Sequence, residues 1–220
     1  PYPQAYDSLL AAGIFACEGA MGEQTTARTT VTAQNVIFNI SATKNANAAG
    51  MFASSAAVTQ VNANTVDMTV KAVNGEAYGL AAQYITYGIG ALPGTNTVTT
   101  GTMEMDIHSD NNNAYGMYSG IGYNDQYGPQ PGGDNTIESA AGQALTLNMN
   151  VTSGTGTAYA MYSESEVNTI AGHSVTGGTG DSITLTGDLA AYSSGKNIIT
   201  TGAGADTVTI TGHFDGDNTI

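Results

Sequence analysis

A six-residue word recurs along the chain, and this repetition limits the fold more than any other feature. Its clearest copy is Ala114-Tyr115-Gly116-Met117-Tyr118-Ser119. Upstream copies are Ala77-Tyr78-Gly79-Leu80-Ala81-Ala82, Ala48-Ala49-Gly50-Met51-Phe52-Ala53 and Ala11-Ala12-Gly13-Ile14-Phe15-Ala16. Downstream copies are Ala158-Tyr159-Ala160-Met161-Tyr162-Ser163 and a degraded Asp188-Leu189-Ala190-Ala191-Tyr192-Ser193. The third position falls at 13, 50, 79, 116, 160 and 190, with spacings of 37, 29, 37, 44 and 30. Spacings of this size belong to repeat architectures.

Two further elements lie between the copies. One is Asn followed by β-branched residues: Asn64-Thr65-Val66, Asn96-Thr97-Val98, Asn135-Thr136-Ile137, Asn168-Thr169-Ile170, Asn197-Ile198-Ile199 and Asn218-Thr219-Ile220. Gly94, Gly133, Gly195 and Gly216 precede four of them by two. Asn and Gly suit a corner that needs positive φ. The other element alternates strictly, as in Val66-Asp67-Met68-Thr69-Val70, Met103-Glu104-Met105-Asp106-Ile107 and Leu145-Thr146-Leu147-Asn148-Met149. Period-two patterning predicts strands with one buried face.

A unit of this size cannot bury its own apolar face, but stacked units can. The expected fold is all-β: residues 1–220 form one continuous parallel β-helix (β-solenoid), right-handed, of about six coils of roughly 35 residues. The chain starts within a coil and stops on an Asn-Thr-Ile corner, so it reads as a piece excised from a longer protein.

Stacking turns the word into columns. Ile14, Met51, Leu80, Met117, Met161 and Ala191 should form a core column. Ala12, Ala49, Tyr78, Tyr115, Tyr159 and Leu189, two residues earlier, should also point inward by the pleat. Phe15, Phe52, Ala81, Tyr118, Tyr162 and Tyr192 should then form an exposed aromatic stripe, and such patches usually have a use. Two Tyr-bearing connections follow this strand in consecutive coils, with Tyr84 and Tyr87 in one and Tyr123 and Tyr127 in the next. Tyr with Gly and Asn is a recognition composition. Tyr84, Tyr87, Tyr118, Tyr123, Tyr127 and Tyr162 are therefore the candidate ligand-binding residues. The bland alternative is that the connections simply cover the stripe.

Other chemistry is sparse. Gly202-Ala203-Gly204-Ala205-Asp206-Thr207-Val208 fits most of a calcium-binding nonapeptide, and Gly177-Gly178-Thr179-Gly180-Asp181-Ser182-Ile183 is one residue short. Asp181 and Asp206 are thus candidate calcium ligands, although a plain corner explains the same residues. No other cofactor is expected. Asp67, Glu104 and Asp106 point out from the equivalent strand of adjacent coils and are the candidate carboxylates for a polysaccharide hydrolase. A lyase would need a base, and Arg28, Lys44, Lys71 and Lys196 are too scattered. Asp106 and His108 share a strand face, a weak metal or acid–base signal. The expectation is no enzyme. Cys17 reads as a buried apolar thiol.

Composition removes further classes. Four Lys+Arg against 18 Asp+Glu give a net charge of −14, too few cations for nucleic acid or a polybasic membrane patch. No apolar run reaches the roughly 20 residues of a membrane helix. One Cys excludes an internal disulfide framework. With 41% hydrophobic residues the chain is not of disordered type.

The A-Y-G-[MIL]-Y-[AS] word, the N-T-[VI] corners and the T-x-T-[IL]-T strands resemble the passenger region of autotransporter proteins of Gram-negative bacteria. The resemblance covers Ala11 to Ile220. It implies an extended β-helix displayed at the bacterial cell surface or secreted, often for adhesion, and supplies no catalytic residues. The expected partners are host or matrix glycans or proteins, and open coil ends favour end-to-end self-association.

Overall fold

The computed structural model describes residues 10–17, 27–54, 56–83, 94–124, 128–130 and 132–220. Among these, every regular element is a strand. Sheet A contains β1 (Leu10–Cys17), β3 (Asn47–Ser54), β5 (Ala77–Gln83), β7 (Ala114–Gly120), β12 (Ala158–Ser163), β15 (Asp188–Ala191) and β18 (Phe214–Gly216), neighbours in that order. Sheet B contains the fifteen-residue strands β2 (Arg28–Ala42), β4 (Val58–Ala72) and β6 (Thr95–Ser109). Beyond β6 it forks. One branch is β10 (Asp134–Glu138), β13 (Val167–Ala171), β16 (Lys196–Thr200) and β19 (Asn218–Thr219). The other is β11 (Thr146–Ser153), β14 (Ser182–Thr186) and β17 (Thr207–Thr211). A small antiparallel hairpin, β8 (Gly122–Asn124) with β9 (Gly128–Gln130), sits between β7 and β10. All pairing within sheets A and B is parallel.

The chain alternates between the two sheets and pairs on each return with its previous visit. Sheet A gathers the six copies of the word, and β18 adds a seventh strand without one. Copies lie in register: Ala12 on Ala49, Ala49 on Tyr78, Tyr78 on Tyr115 and Tyr115 on Tyr159. The last copy slips. A bulge between Tyr159 and Met161 brings Leu189 opposite Met161, so Leu189 and not Ala191 continues the Met column. Gly187, at φ 129°, supplies the backbone conformation for this shortened entry.

One apolar core runs from Ile14 to Ile199. Sheet A contributes Met51, Leu80, Met117 and Met161, and the alternating strands contribute Val66, Met68, Met103, Met105, Leu147, Met149, Ile183 and Leu185. Burying each such side chain stabilises by about 1.5–3 kcal/mol. Alternation holds on both faces: Phe38 is buried while its neighbour Ile37 is 75% exposed. In β6 the inward set is Asn96, Val98 and Thr100, then Met103, Met105 and Ile107. The phase changes at Gly101, and the ladder between β4 and β6 skips Asn64 opposite Gly101. Each long strand therefore bends there, and its two segments form two sides of the core while sheet A forms the third.

The Asn residues are strand residues, not corners as expected. Among described non-glycine residues positive φ falls on Lys44, Ala56 and Ser193 instead. Asn96, Asn135, Asn168 and Asn197 point inward and are at most 1% exposed. Each Nδ2 donates to the Oδ1 of the next: Asn96 to Asn135 (2.7 Å), Asn135 to Asn168 (2.9 Å), Asn168 to Asn197 (3.0 Å) and Asn197 to Asn218 (2.9 Å). The hydroxyl of Thr59 donates into the first member, Asn96. The second amide hydrogens reach carbonyls at the end of sheet A: Ala81, Tyr118, Tyr162 and Ala190. The ladder thus ties sheet A to sheet B and leaves no amide hydrogen wasted. Asn64 does not belong to it: the ladder position in β4 is Thr59, and Asn64 is exposed at the bend.

Candidate functional site

The word places its aromatics on the outer face of sheet A, and the inward expectation for the Tyr78–Tyr115–Tyr159 column fails. A Cβ added to Gly116 would lie 2.3 Å from Met149 Sδ, so position 116 faces the core. Met117 faces it too. Two consecutive inward positions shift the pleat by one, and Tyr115 and Tyr118 emerge on the same outer side. Gly50 and Gly79 stand equally close to Met68 and Met105, so the missing side chain lets sheet A approach these methionines. Among the five full copies of the word, only Ala158–Ser163 has a methyl group there, at Ala160, and the degraded copy has Ala190.

The result is a second cluster, separate from the core, of Ala49, Phe52, Tyr78, Ala81 and Tyr115 with Tyr118, Tyr159 and Tyr162 against it. Tyr78, Tyr115 and Tyr159 stack at 5.2 and 5.3 Å, within 10° of parallel. Tyr118 stacks on Tyr162 at 5.6 Å, and Tyr115 meets Tyr118 edge-on at 4.8 Å. Offset stacks and edge contacts of this kind add about 0.5–1.5 kcal/mol per pair beyond area burial.

The expected exposed stripe is consequently mostly covered. Phe52 and Ala81 are buried, and Tyr118 and Tyr162 are half-buried because the neighbouring Tyr column flanks them. Only its ends, Phe15 at 51% and Tyr192 at 41%, are open.

Carboxylates anchor the phenols. Tyr78 donates to Glu76 Oε2, and Tyr115 reaches Glu76 Oε1 at 3.4 Å while accepting from Asn113 Nδ2 at 3.0 Å. Tyr162 donates to Glu164 Oε1 at 2.7 Å, and Glu164 Oε2 accepts the Ile121 N–H at 2.9 Å. Burial first, and these carboxylates second, push Tyr78, Tyr115 and Tyr162 well above the ordinary phenol range. Tyr118 shifts the same way through burial, then Glu164 and Glu76. The sequence reading passed over Glu76 and Glu164. Each stands two residues from a Tyr of the word, just beyond the end of its strand, and that spacing was the available signal.

Of the other ligand candidates, Tyr84, Tyr87 and Tyr127 lie outside the described residues. Tyr123 is in β8, paired with Pro129, and its side chain also lies outside them. The connections that carry these four occupy 84–94, between β5 and β6, and 121–133, between β7 and β10. They leave adjacent strands of sheet A and re-enter sheet B beside Asn96 and Asn135.

Asp181 and Asp206 hold a corner. They immediately precede β14 and β17, as Leu145 precedes β11. Each carboxylate accepts the N–H of the same position one strand earlier: Leu145 N to Asp181 Oδ1 at 2.6 Å, and Asp181 N to Asp206 Oδ1 at 2.8 Å. Asp181 Oδ2 accepts from Gly202 N at 2.7 Å and from Ser174 Oγ at 3.1 Å, and Ser174 Oγ also reaches Asp206 Oδ1 at 3.2 Å. Burial of Asp181, which is 1% exposed, would raise its pKa. The donors from Gly202, Leu145 and Ser174 outweigh that and hold it below the ordinary carboxylate range. Both oxygens of Asp181 thus already face N–H and O–H donors. Among the described residues no three His, Cys, Asp or Glu side chains gather as a metal site.

Asp67 and Glu104 are register neighbours on the outer face of sheet B, and Asp106 follows on β6. All three are exposed, and Asp106 accepts from Asn150 at 3.2 Å. His108 pairs with Asp110 (2.8 Å) and Thr152 (2.8 Å), not with Asp106. Cys17 is half-buried at the end of β1. Among the described residues no helix is long and apolar enough to cross a membrane.

No protein-family model, curated protein or solved structure matches the chain.

Proposed function

We propose that this chain is a segment of a right-handed β-solenoid from a secreted or cell-surface bacterial protein, serving structure and adhesion by displaying Tyr-bearing connections to glycan or protein. The fold reading is supported by parallel, in-register returns linked by an Asn ladder and by the strong right-handed preference of parallel crossovers. The bacterial surface setting rests on the resemblance to autotransporter passengers. The observation that carries the function is the shared corner: the two longest connections between sheet A and sheet B, 84–94 and 121–133, follow adjacent paired strands. Neighbouring strands lie about 4.8 Å apart, so two recognition-type loops leave the scaffold side by side. The aromatic layer of sheet A acts as a rigid scaffold rather than as the contact surface.

The test is a screen of the purified protein on glycan and extracellular-matrix arrays, with calcium and again with EDTA. Specific binding should disappear in Tyr123→Ala and Tyr127→Ala while circular dichroism stays unchanged. Binding that ignores both substitutions would remove the loops from the function. Loss of binding in EDTA would bring Asp181 and Asp206 into it.

A further inference from the structure

The geometry points to a second binding site, distant in sequence from the Tyr-bearing connections: a neutral-glycan groove where sheet B forks. β6 pairs with β10 through Thr95–Thr99 and with β11 through Thr102–Ser109. Residues 139–145 leave the sheet between these branches and form a raised wall. The wall is braced rather than loose. Ser139 Oγ donates to Gln143 O (2.8 Å), Gln143 N to Ala140 O (3.0 Å), Gly142 N to His173 O (2.9 Å), and His173 N to Ser139 Oγ (3.0 Å). On one side of it the bends of β2, β4 and β6 present a floor of Ala33, Ala63 and Gly101, bordered by Asn62, Asn64 and Thr99. On the other side a second recess runs to Val175 and Thr179. The recesses measure about 410 and 510 Å³ and share Gly101 and Gln143. They adjoin at Gly101 and Gln143, one on either side of the wall, and together border β2, β4, β6 and β11.

Its chemistry selects the ligand. The chain has a net charge of −14, yet no charged side chain lines either recess. Glu138, beside Thr99, is engaged by the Thr99 hydroxyl (3.2 Å) and by His173 (3.8 Å). The walls offer amides and hydroxyls, which both donate and accept, as sugar hydroxyls require. Among the described residues the side-chain amides of Asn64 and Gln143 make no hydrogen bond, so they are free for a ligand. Two adjoining open, uncharged recesses over a small-residue floor fit a neutral polysaccharide. A polyanion would meet the surrounding negative field instead.

Gly101 makes the test clean. A Cβ there has only Asn64 O within 4 Å, at 3.5 Å, and no strained φ, so a large side chain enters the recesses and not the core. Affinity electrophoresis of the whole chain through gels containing amylose, xylan, galactomannan or mixed-linkage glucan, with polygalacturonate as the charged comparison, reads binding directly. We expect retardation by at least one neutral polymer and none by polygalacturonate. Gly101→Trp and Gln143→Ala should each weaken it about tenfold, the scale of a lost hydrogen bond in a binding site. Gly101→Ala should leave it in place. No retardation by any neutral polymer, preference for polygalacturonate, or unchanged binding in folded Gly101→Trp and Gln143→Ala would each overturn the groove. Loss confined to Tyr123→Ala and Tyr127→Ala would overturn it as well and support the loop reading instead.

Discussion

The two halves of sheet B solve the same corner differently. In β2, β4 and β6 the backbone runs unbroken for fifteen residues and turns by a local bend at small or polar residues, Ala63-Asn64 and Thr100-Gly101. Beyond the fork the corner is a loop, and side chains must hold it: Ser139, Ser174, Asp181 and Asp206 accept or donate the bonds that a continuous ladder would have made. The core beneath is the same alternating Val, Met, Ile and Leu set in both halves. Core layers therefore fix the stacking, while the corner is free to vary provided each backbone N–H finds an acceptor.

The sharpest way to break this comparison is Asp181→Ala. It orphans the N–H groups of Leu145 and Gly202 and removes one of the Ser174 bonds, a loss of about 2–6 kcal/mol at about 1–3 per unsatisfied group. Because stacked repeats open locally, amide exchange should accelerate in β14 and β17 and stay slow in β4 and β6. Acid should imitate the mutation. The Asp181 pKa is lowered on folding, so its stabilisation is present above the ordinary Asp value and is lost as pH falls through the depressed one, below about pH 4. The forked half should open first on acidification, and simultaneous opening of both halves would count against the corner account.

Next in size is Asn135→Ala. It strands the Asn96 amide and the Tyr118 carbonyl and removes the donor to Asn168, for about 2–4 kcal/mol. Asn64→Ala, outside the ladder, should change denaturation midpoints little. Equal losses would dissolve the distinction between ladder and bend.

The Tyr layer spans both halves and offers a gentler probe. Raised phenol pKa values mean stability that is intact below the ordinary Tyr value of about 10 and lost as pH rises beyond it. Absorbance titration should resolve an ordinary class and a late class of tyrosines, the late one ionising together with unfolding. A single class at the ordinary value would expose the layer to solvent. Smallest of all is Gly101→Ala, for which open space at the bend predicts neutrality or a gain of up to about 1 kcal/mol.

The stacked all-β organisation was legible because period-two alternation and a repeated word survive without tertiary information. The Met column as far as Met161 and the alternating strands are where the pattern puts them, and only the bulge before Leu189 displaces Ala191. The outer Tyr layer was not legible, since a single added inward residue at Gly116-Met117 reverses the face of the residues before it relative to Met117, and periodicity carries no mark of that shift. Asn was misread for a different reason: turn preference and ladder pairing favour the same residue, and only the register separates them. Asp181 and Asp206 share the word Asp-[Ser/Thr]-[Ile/Val]-Thr. That recurrence marks a structural position as readily as an ion ligand, and the sequence alone does not distinguish them.

The register itself is the central claim, and paired cysteines in a Cys17→Ser background test it most directly. Thr97 and Thr136 are partners on the outer faces of β6 and β10. Their Cα atoms should be about 4.8 Å apart, inside the disulfide range. Thr97 and Asp134, two residues out of register, should be about 8 Å apart and outside that range. Under mild oxidation the account predicts rapid, near-complete cross-linking of Thr97→Cys/Thr136→Cys and little of Thr97→Cys/Asp134→Cys. Preference for the second pair, or cross-linking of neither in a folded protein, would contradict the stacking on which the ladder, the Tyr layer and the groove all depend.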